Sequence, residues 1–151
     1  EPTPVTTKYW VGNGGNWSDT SHWSHSSGGS GDEQIPTMDT PVIFDENSFT
    51  EDGQIVLLSD ACYCKTFNCS SINYSMEFNF IDFAFLNIFG DITLSSNVSF
   101  SYPVLTNNDI INQKFTFGIK IYDECNILSS GIKMPPIKQY VYIENEGGGF
   151  V

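Results

Sequence analysis

Arginine is absent, and the only basic side chains are six lysines, Lys8, Lys65, Lys114, Lys120, Lys133 and Lys138, scattered over 151 residues. Proteins that hold a phosphate backbone cluster Lys and Arg against it. With 18 acidic residues and a formal net charge of −12, the chain is therefore expected to bind no nucleic acid, and anionic membrane surfaces are disfavoured for the same reason. Alanine occurs only at Ala61 and Ala84, which argues against long helices. No apolar run approaches the ~20 residues that a membrane helix needs, so membrane insertion is not expected.

Catalytic signatures are scarce too. The sequence has no Gly-x-Ser-x-Gly elbow, no phosphate loop and no His-Glu-x-x-His, and neither His22 nor His25 lies near an obvious nucleophile. Solenoid glycosidases and lyases work with paired carboxylates, but 18 acidic residues bring some pair together by abundance alone. Lyases also commonly rely on an Arg or Lys base. A polysaccharide-degrading enzyme is the least favoured reading, and no cofactor is expected. Metal binding finds equally little support. His22 and His25 flank Trp23 in a Gly- and Ser-rich stretch that does not suit a helix, and Asp39, Asp45 and Glu46 lack the loop pattern of an EF-hand. They read as loop histidines and surface carboxylates.

Aromatic and β-branched residues are abundant, with 12 Phe and 7 Tyr, and the rest is rich in Asn, Ser, Asp and Gly, which set turns. One domain is the natural size for this length. From Gly12 to Gly31 the chain is polar and glycine-rich but carries Trp17 and Trp23, which linkers rarely do, since exposed indoles gain nothing in water. Residues 1–40 are read as an ordered N-terminal cap or loop with buried tryptophans, and residues 41–151 as a β-rich body. Beyond Thr40, short strand-like runs follow one another: Pro41 to Asp45, Gln54 to Leu58, Cys62 to Phe67, Met76 to Ile81, Phe83 to Phe89, Ile92 to Leu94, Val98 to Tyr102, Phe115 to Ile121 and Tyr140 to Ile143. Asp60 to Ile72 laid over Asp82 to Leu94, an offset of 22 residues, pairs Ala61 with Phe83, Cys62 with Ala84 and Phe67 with Phe89. That spacing suits stacked coils, so the expected fold is all-β, a parallel β-solenoid, with a β-sandwich as the alternative.

Four cysteines, Cys62, Cys64, Cys69 and Cys125, permit two disulfides, and their spacing is not that of a zinc site. Cys62 and Cys64 share one face of a strand and would pair with a neighbouring strand rather than with each other; buried free thiols are the alternative. Asn-x-Ser sequons at Asn16, Asn68, Asn73 and Asn97 are candidate glycosylation sites in a secretory compartment. The start at Glu1-Pro2-Thr3-Pro4 suits a processed N-terminus.

The opening Tyr9-Trp10-Val11-Gly12-Asn13-Gly14-Gly15-Asn16-Trp17-Ser18-Asp19, followed by His22-Trp23-Ser24, Pro36-Thr37 and Val42-Ile43-Phe44-Asp45, resembles the start of secreted bacterial surface and adhesin-like β-helix proteins. Asn47-Ser48-Phe49, Gly53-Gln54-Ile55-Val56 and Leu86-Asn87-Ile88-Phe89-Gly90-Asp91-Ile92-Thr93-Leu94 are similar to later parts of that family, so the likeness spans roughly residues 9–100. The resemblance implies a non-catalytic protein of the extracellular space, or of a cell or virion surface, that is adhesin-like or a subunit of a filament or appendage. Its partners would be other protein subunits or cell-surface glycans. The alternative is a carbohydrate-binding module using Trp17 and Trp23 as stacking platforms for sugar rings.

Overall fold

A computed structural model describes residues 6–59, 61–81 and 84–101, and the backbone of residues 118–121, 127–128 and 142–145. Among these residues the chain forms short strands and a single 3-10 turn, Thr20–His22. The strands are β1 (Lys8–Trp10), β2 (Gly15–Asn16), β3 (Trp23–Ser24), β4 (Val42–Ile43), β5 (Gln54–Leu58), β6 (Ala61–Cys64) and β7 (Phe67–Asn68). They continue as β8 (Met76–Phe80), β9 (Phe85–Ile88), β10 (Ile92–Thr93), β11 (Val98–Ser101), β12 (Gly118–Ile121), β13 (Ile127–Leu128) and β14 (Tyr142–Asn145). The all-β character follows from the composition: β-branched and aromatic residues alternate with polar ones over spans too short for a helix.

The strands assemble into three small sheets, ordered β13-β10-β7-β4-β1-β3, β11-β8-β5-β2 and β14-β12-β9-β6. Pairing is parallel except where β1 meets β3, an antiparallel pair that sets Trp10 opposite Trp23. The expected parallel β-solenoid, and with it the β-sandwich alternative, is corrected by this arrangement: the described residues form three small sheets, and the first mixes parallel with antiparallel pairing. The antiparallel pair arises because the glycine-rich segment after Trp10 folds the chain back on itself, which puts β3 alongside β1 instead of in the next layer.

The internal similarity also needs correction. The offset of 22 residues holds between β5, β8 and β11 of the second sheet, where Val56 faces Phe78 and Met76 faces Val98. In the third sheet Ala61 faces Phe85 rather than Phe83, and in the first Phe67 faces Ile92 rather than Phe89. The connections differ in length, so no single period aligns all three sheets. Inward alternation survives because a shift of two residues keeps a side chain on its face, so Cys62 and Leu86 are both buried. The run Cys62 to Phe67 is two strands and not one. Cys62, Cys64 and Phe67 all point inward, an alternation that changes phase at Lys65 and Thr66, where the chain leaves the third sheet for the first. Of the later runs, Phe115 to Phe117, Tyr140 and Val141 lie outside the described residues.

The core lies where the three sheets converge and is built of rings. Phe44, fully buried, has ring neighbours on many sides: Trp10 at 5.5 Å, Trp17 at 6.1 Å, Trp23 at 6.0 Å, Phe67 at 5.8 Å and Phe78 edge-on at 5.0 Å. Phe78 extends the series to Phe67 at 5.2 Å and to Phe100 at 5.6 Å. Val56, Leu58, Leu86 and Ile88 complete the interior. Truncating a ring so enclosed leaves a cavity, and Phe44→Ala should cost about 3–5 kcal/mol. Ile55→Ala, on the exposed side of β5, should cost about 0.5 kcal/mol or less. Urea unfolding checks both: the midpoint should fall for Phe44→Ala at unchanged slope and stay put for Ile55→Ala.

Candidate functional site

The N-terminal segment holds the three tryptophans and both histidines. Trp10 leaves β1 pointing inward, stacks flat on His22 at 4.5 Å with 3° between ring planes, and meets Trp23 edge-on at 5.1 Å. Trp23 in turn meets Trp17 at 4.8 Å. The indole N–H of Trp10 donates to the Asn13 carbonyl, and that of Trp23 to the Trp17 carbonyl, both at 2.7 Å. Among the described residues the buried indole nitrogen of Trp17 has no hydrogen-bond partner.

Trp17 is 1% exposed and Trp23 0%. Neither offers a ring face to solvent, so the sugar-stacking role expected of them is corrected: both indoles belong to the core, against Phe44 and Phe67.

His22 is held from three sides. Its Nδ1 donates to the Val11 carbonyl at 2.7 Å, since a carbonyl only accepts, and its ring lies on Trp10. Its Nε2 edge rests against Gly15, where any Cβ would collide with Nε2. Gly14 is constrained likewise, because a Cβ there would come within 2.7 Å of the Ile55 carbonyl. The Gly-Gly pair therefore lets β2 slip between β5 and the imidazole, a reason grounded in close approach. His25 Nδ1 contacts Glu33 at 2.7 Å, and Lys8 reaches the other Glu33 oxygen at 3.4 Å, so the loop after β3 is tied to β1.

The carboxylates are structural as well. Asp45 is buried, accepts from the Ser27 hydroxyl at 2.7 Å and from the Asn47 amide at 3.0 Å, and its own amide donates to Ser48 Oγ, which donates to the Trp10 carbonyl. Asp39 and Glu46 are exposed. Asp19 closes the turn before Thr20; the Ser21 hydroxyl and then its amide donate to the carboxylate and hold it below its ordinary value near 3.8. Among the described residues no group of three or more His, Cys, Asp or Glu is placed to hold a metal ion, and no helix is long and apolar enough to cross a membrane. Sequence reasoning missed Asn13, Ser48 and Gln54, which stitch the segment down: Asn13 Oδ1 accepts from Thr50, and Gln54 Oε1 accepts from the Gly14 amide. Nothing in the local pattern singled them out, since Asn and Ser are frequent and a Gln in a strand-like run carries no signal of its own.

Cys62, Cys64 and Cys69 lie in the core, and no disulfide joins any two of them. Of the neighbouring-strand partners open to Cys62 or Cys64, namely Cys69 and Cys125, the structure corrects the first, and Cys125 lies outside the described residues. Burial drives Cys64 and Cys69 well above the ordinary thiol value of 9.0, reinforced by Cys62 beside Cys64 and by Cys64 beside Cys69. Of the sequon asparagines, Asn16, Asn68 and Asn97 are half-buried and Asn73 is exposed.

No protein-family model, curated protein or solved structure matches the chain.

Three measurements test this site. Gly15→Ala forces His22 off Trp10 and should destabilise the protein by about 1–3 kcal/mol. Adding His22→Ala should recover part of that loss, a coupling that independent sites would not show. For the thiols, native protein should resist alkylation at Cys64 and Cys69, and both should react in denaturant. The pH dependence has a definite sign. The folded thiols ionise above the unfolded ones, so their contribution is fully present below about pH 9 and is lost as pH rises, because the unfolded chain sheds protons first. The alkaline loss of stability should be smaller in the Cys64→Ala, Cys69→Ala variant than in the parent, measured by urea midpoints between neutral and strongly alkaline pH.

Proposed function

We propose that the chain is a non-catalytic structural or adhesive module of an extracellular, cell-surface or virion-surface protein, working through contacts with other protein subunits or with surface glycans. One observation carries the reading: among the described residues both histidines and the buried Asp45 are engaged in holding the fold. His22 is stacked and hydrogen-bonded, His25 is paired with Glu33, and Asp45 closes a turn. An enzyme leaves such groups facing a cleft, where substrate reaches them.

The acidic excess favours a soluble, self-repelling surface that sticks only where complementary contacts exist. Apolar side chains that remain exposed, Ile35, Met38, Ile55, Tyr63 and Ile81, are available for such contacts. The buried thiols are neutral on compartment, since a thiol sealed from solvent is slow to oxidise. The opening segment's resemblance to adhesin-like surface proteins points the same way. A carbohydrate-binding module using the tryptophans is not retained, because their faces are covered.

The test combines light scattering on the purified chain, retention on whole cells, and reducing-end release from acidic and neutral polysaccharides. Self-association or cell retention without turnover is expected. A strictly monomeric protein that releases reducing ends would overturn the proposal.

A further inference from the structure

Four Asn-x-Ser sequons lie among the described residues, and the fold treats them differently. Asn16 uses its carboxamide oxygen to accept from the Ser18 amide at 3.0 Å and hydroxyl at 2.8 Å, while its Nδ2 donates to Ser59 Oγ at 2.8 Å. Asn68 accepts from the Ser70 amide and hydroxyl at 2.9 and 2.7 Å in the same way. Asp19 does likewise with Ser21, at 2.9 and 2.7 Å. Because an aspartate, which carries no glycan, makes the same turn, turn geometry is reason enough for the pattern at Asn16 and Asn68. Asn97 has a different structural duty: its Nδ2 donates to the Ile72 carbonyl at 2.7 Å from a half-buried position.

Asn73 has no such duty. Its side chain makes no hydrogen bond among the described residues, and it is exposed, as is Ser75 two positions on, while Tyr74 between them packs on the core. The segment is fixed from below. The Ser75 amide donates to Asp52 Oδ1 at 2.9 Å, and the Ser75 carbonyl accepts from the Gly53 amide at 2.8 Å. The tyrosine thus anchors the triplet and leaves its asparagine and serine facing solvent.

We propose that Asn73 is an N-glycan acceptor. The proposal rests on the extracellular reading above, because the reaction occurs only along a secretory route. The donor class is an oligosaccharide linked through pyrophosphate to a polyprenyl lipid. A membrane transferase joins Asn73 Nδ2 to the anomeric carbon of the first sugar, the bond from that carbon to the pyrophosphate oxygen breaks, the lipid pyrophosphate leaves with the electron pair, and one Nδ2 proton is lost. Transfer precedes folding, so any of the four sequons meets the enzyme. Folding then discriminates: a sugar on Asn97 must fit beside the Ile72 carbonyl and one on Asn16 beside Ser59, whereas a sugar on Asn73 projects into water.

The full chain, placed behind a heterologous secretion signal in a eukaryotic host, tests this. Secreted protein is released from its glycans by an amidase in heavy-oxygen water and mapped by peptide mass. Asn73 should be occupied in more than about half of the secreted molecules, and more than Asn16 and Asn97. Asn73→Gln and Ser75→Ala should each remove one glycan's mass and leave the urea midpoint unchanged. Secreted, folded protein bare at Asn73 would overturn the proposal, as would occupancy at Asn16 or Asn97 equal to that at Asn73, or a glycan surviving at Asn73 in Ser75→Ala. Since the added signal forces entry into the secretory route, a bare Asn73 condemns the site alone. Cell retention and self-association of Asn73→Gln are measured separately and bear on the surface role.

Discussion

Ring packing around Phe44 is the constraint on which everything else depends. Several strands, among them β2, β4, β7 and β10, are only two residues long, so each contributes few ladder bonds. Strands this short do not hold a sheet by backbone pairing alone. What holds them in register is the side chain each sends inward: Val42, Phe67 and Ile92 in the first sheet, Val56 and Phe78 in the second. Edge-on and offset ring pairs add about 0.5–1.5 kcal/mol apiece beyond the area they bury, and they favour particular angles, which fixes orientation as well as contact. The first two sheets meet because their rings interlock, and the third packs Cys62, Cys64, Leu86 and Ile88 into the same core.

That interior dictates the chemistry of the N-terminal segment. Three tryptophans bring three indole N–H groups toward an apolar centre, and each needs a partner or leaves a cost of about 1–3 kcal/mol. Trp10 and Trp23 find backbone carbonyls a few residues away, at Asn13 and Trp17. Such local acceptors exist only if the chain turns tightly, and the run Gly12-Asn13-Gly14-Gly15 supplies those turns, with Asn13 itself at a φ of 66°. Trp17 is the exception: among the described residues its nitrogen has no partner, while its ring packs on Trp23 and Phe67. Glycines, imidazole and indoles in this stretch form one device, since a Cβ on Gly15 would dislodge His22 and a displaced His22 would uncover Trp10.

Much of this was legible in the sequence, for definable reasons. The strands Gln54–Leu58 and Met76–Phe80 stand within a residue of where alternation puts them, because both are long enough for a period of two to show. Burial of the tryptophans followed from the poor fit of indoles to a linker. The mixed pairing was not legible, because an antiparallel pair of two residues leaves no periodic trace. Nor was the change of phase at Lys65 and Thr66, since Cys, Tyr, Thr and Phe all suit a strand and nothing in the composition marks a corner. The sugar-binding reading failed on a related ambiguity: a tryptophan among glycines and serines looks the same whether the glycines expose it or let the chain close over it.

The cysteines show how position overrides residue type. An even count in a chain with sequons invites a disulfide framework, yet such frameworks matter most where a core is too small to sustain the fold. Here the core already encloses Cys62, Cys64 and Cys69 near the corner between β6 and β7, where inward positions beside Phe67 call for apolar side chains. A thiol is a small apolar filler that meets that need. Once enclosed, it is also chemically quiet: the thiolate, the form that oxidises and binds metal, is the form that burial suppresses at Cys64 and Cys69. Cysteine count therefore says little about redox compartment in this chain, and the surface, where Asn73 and the exposed apolar residues lie, is where its setting must be sought.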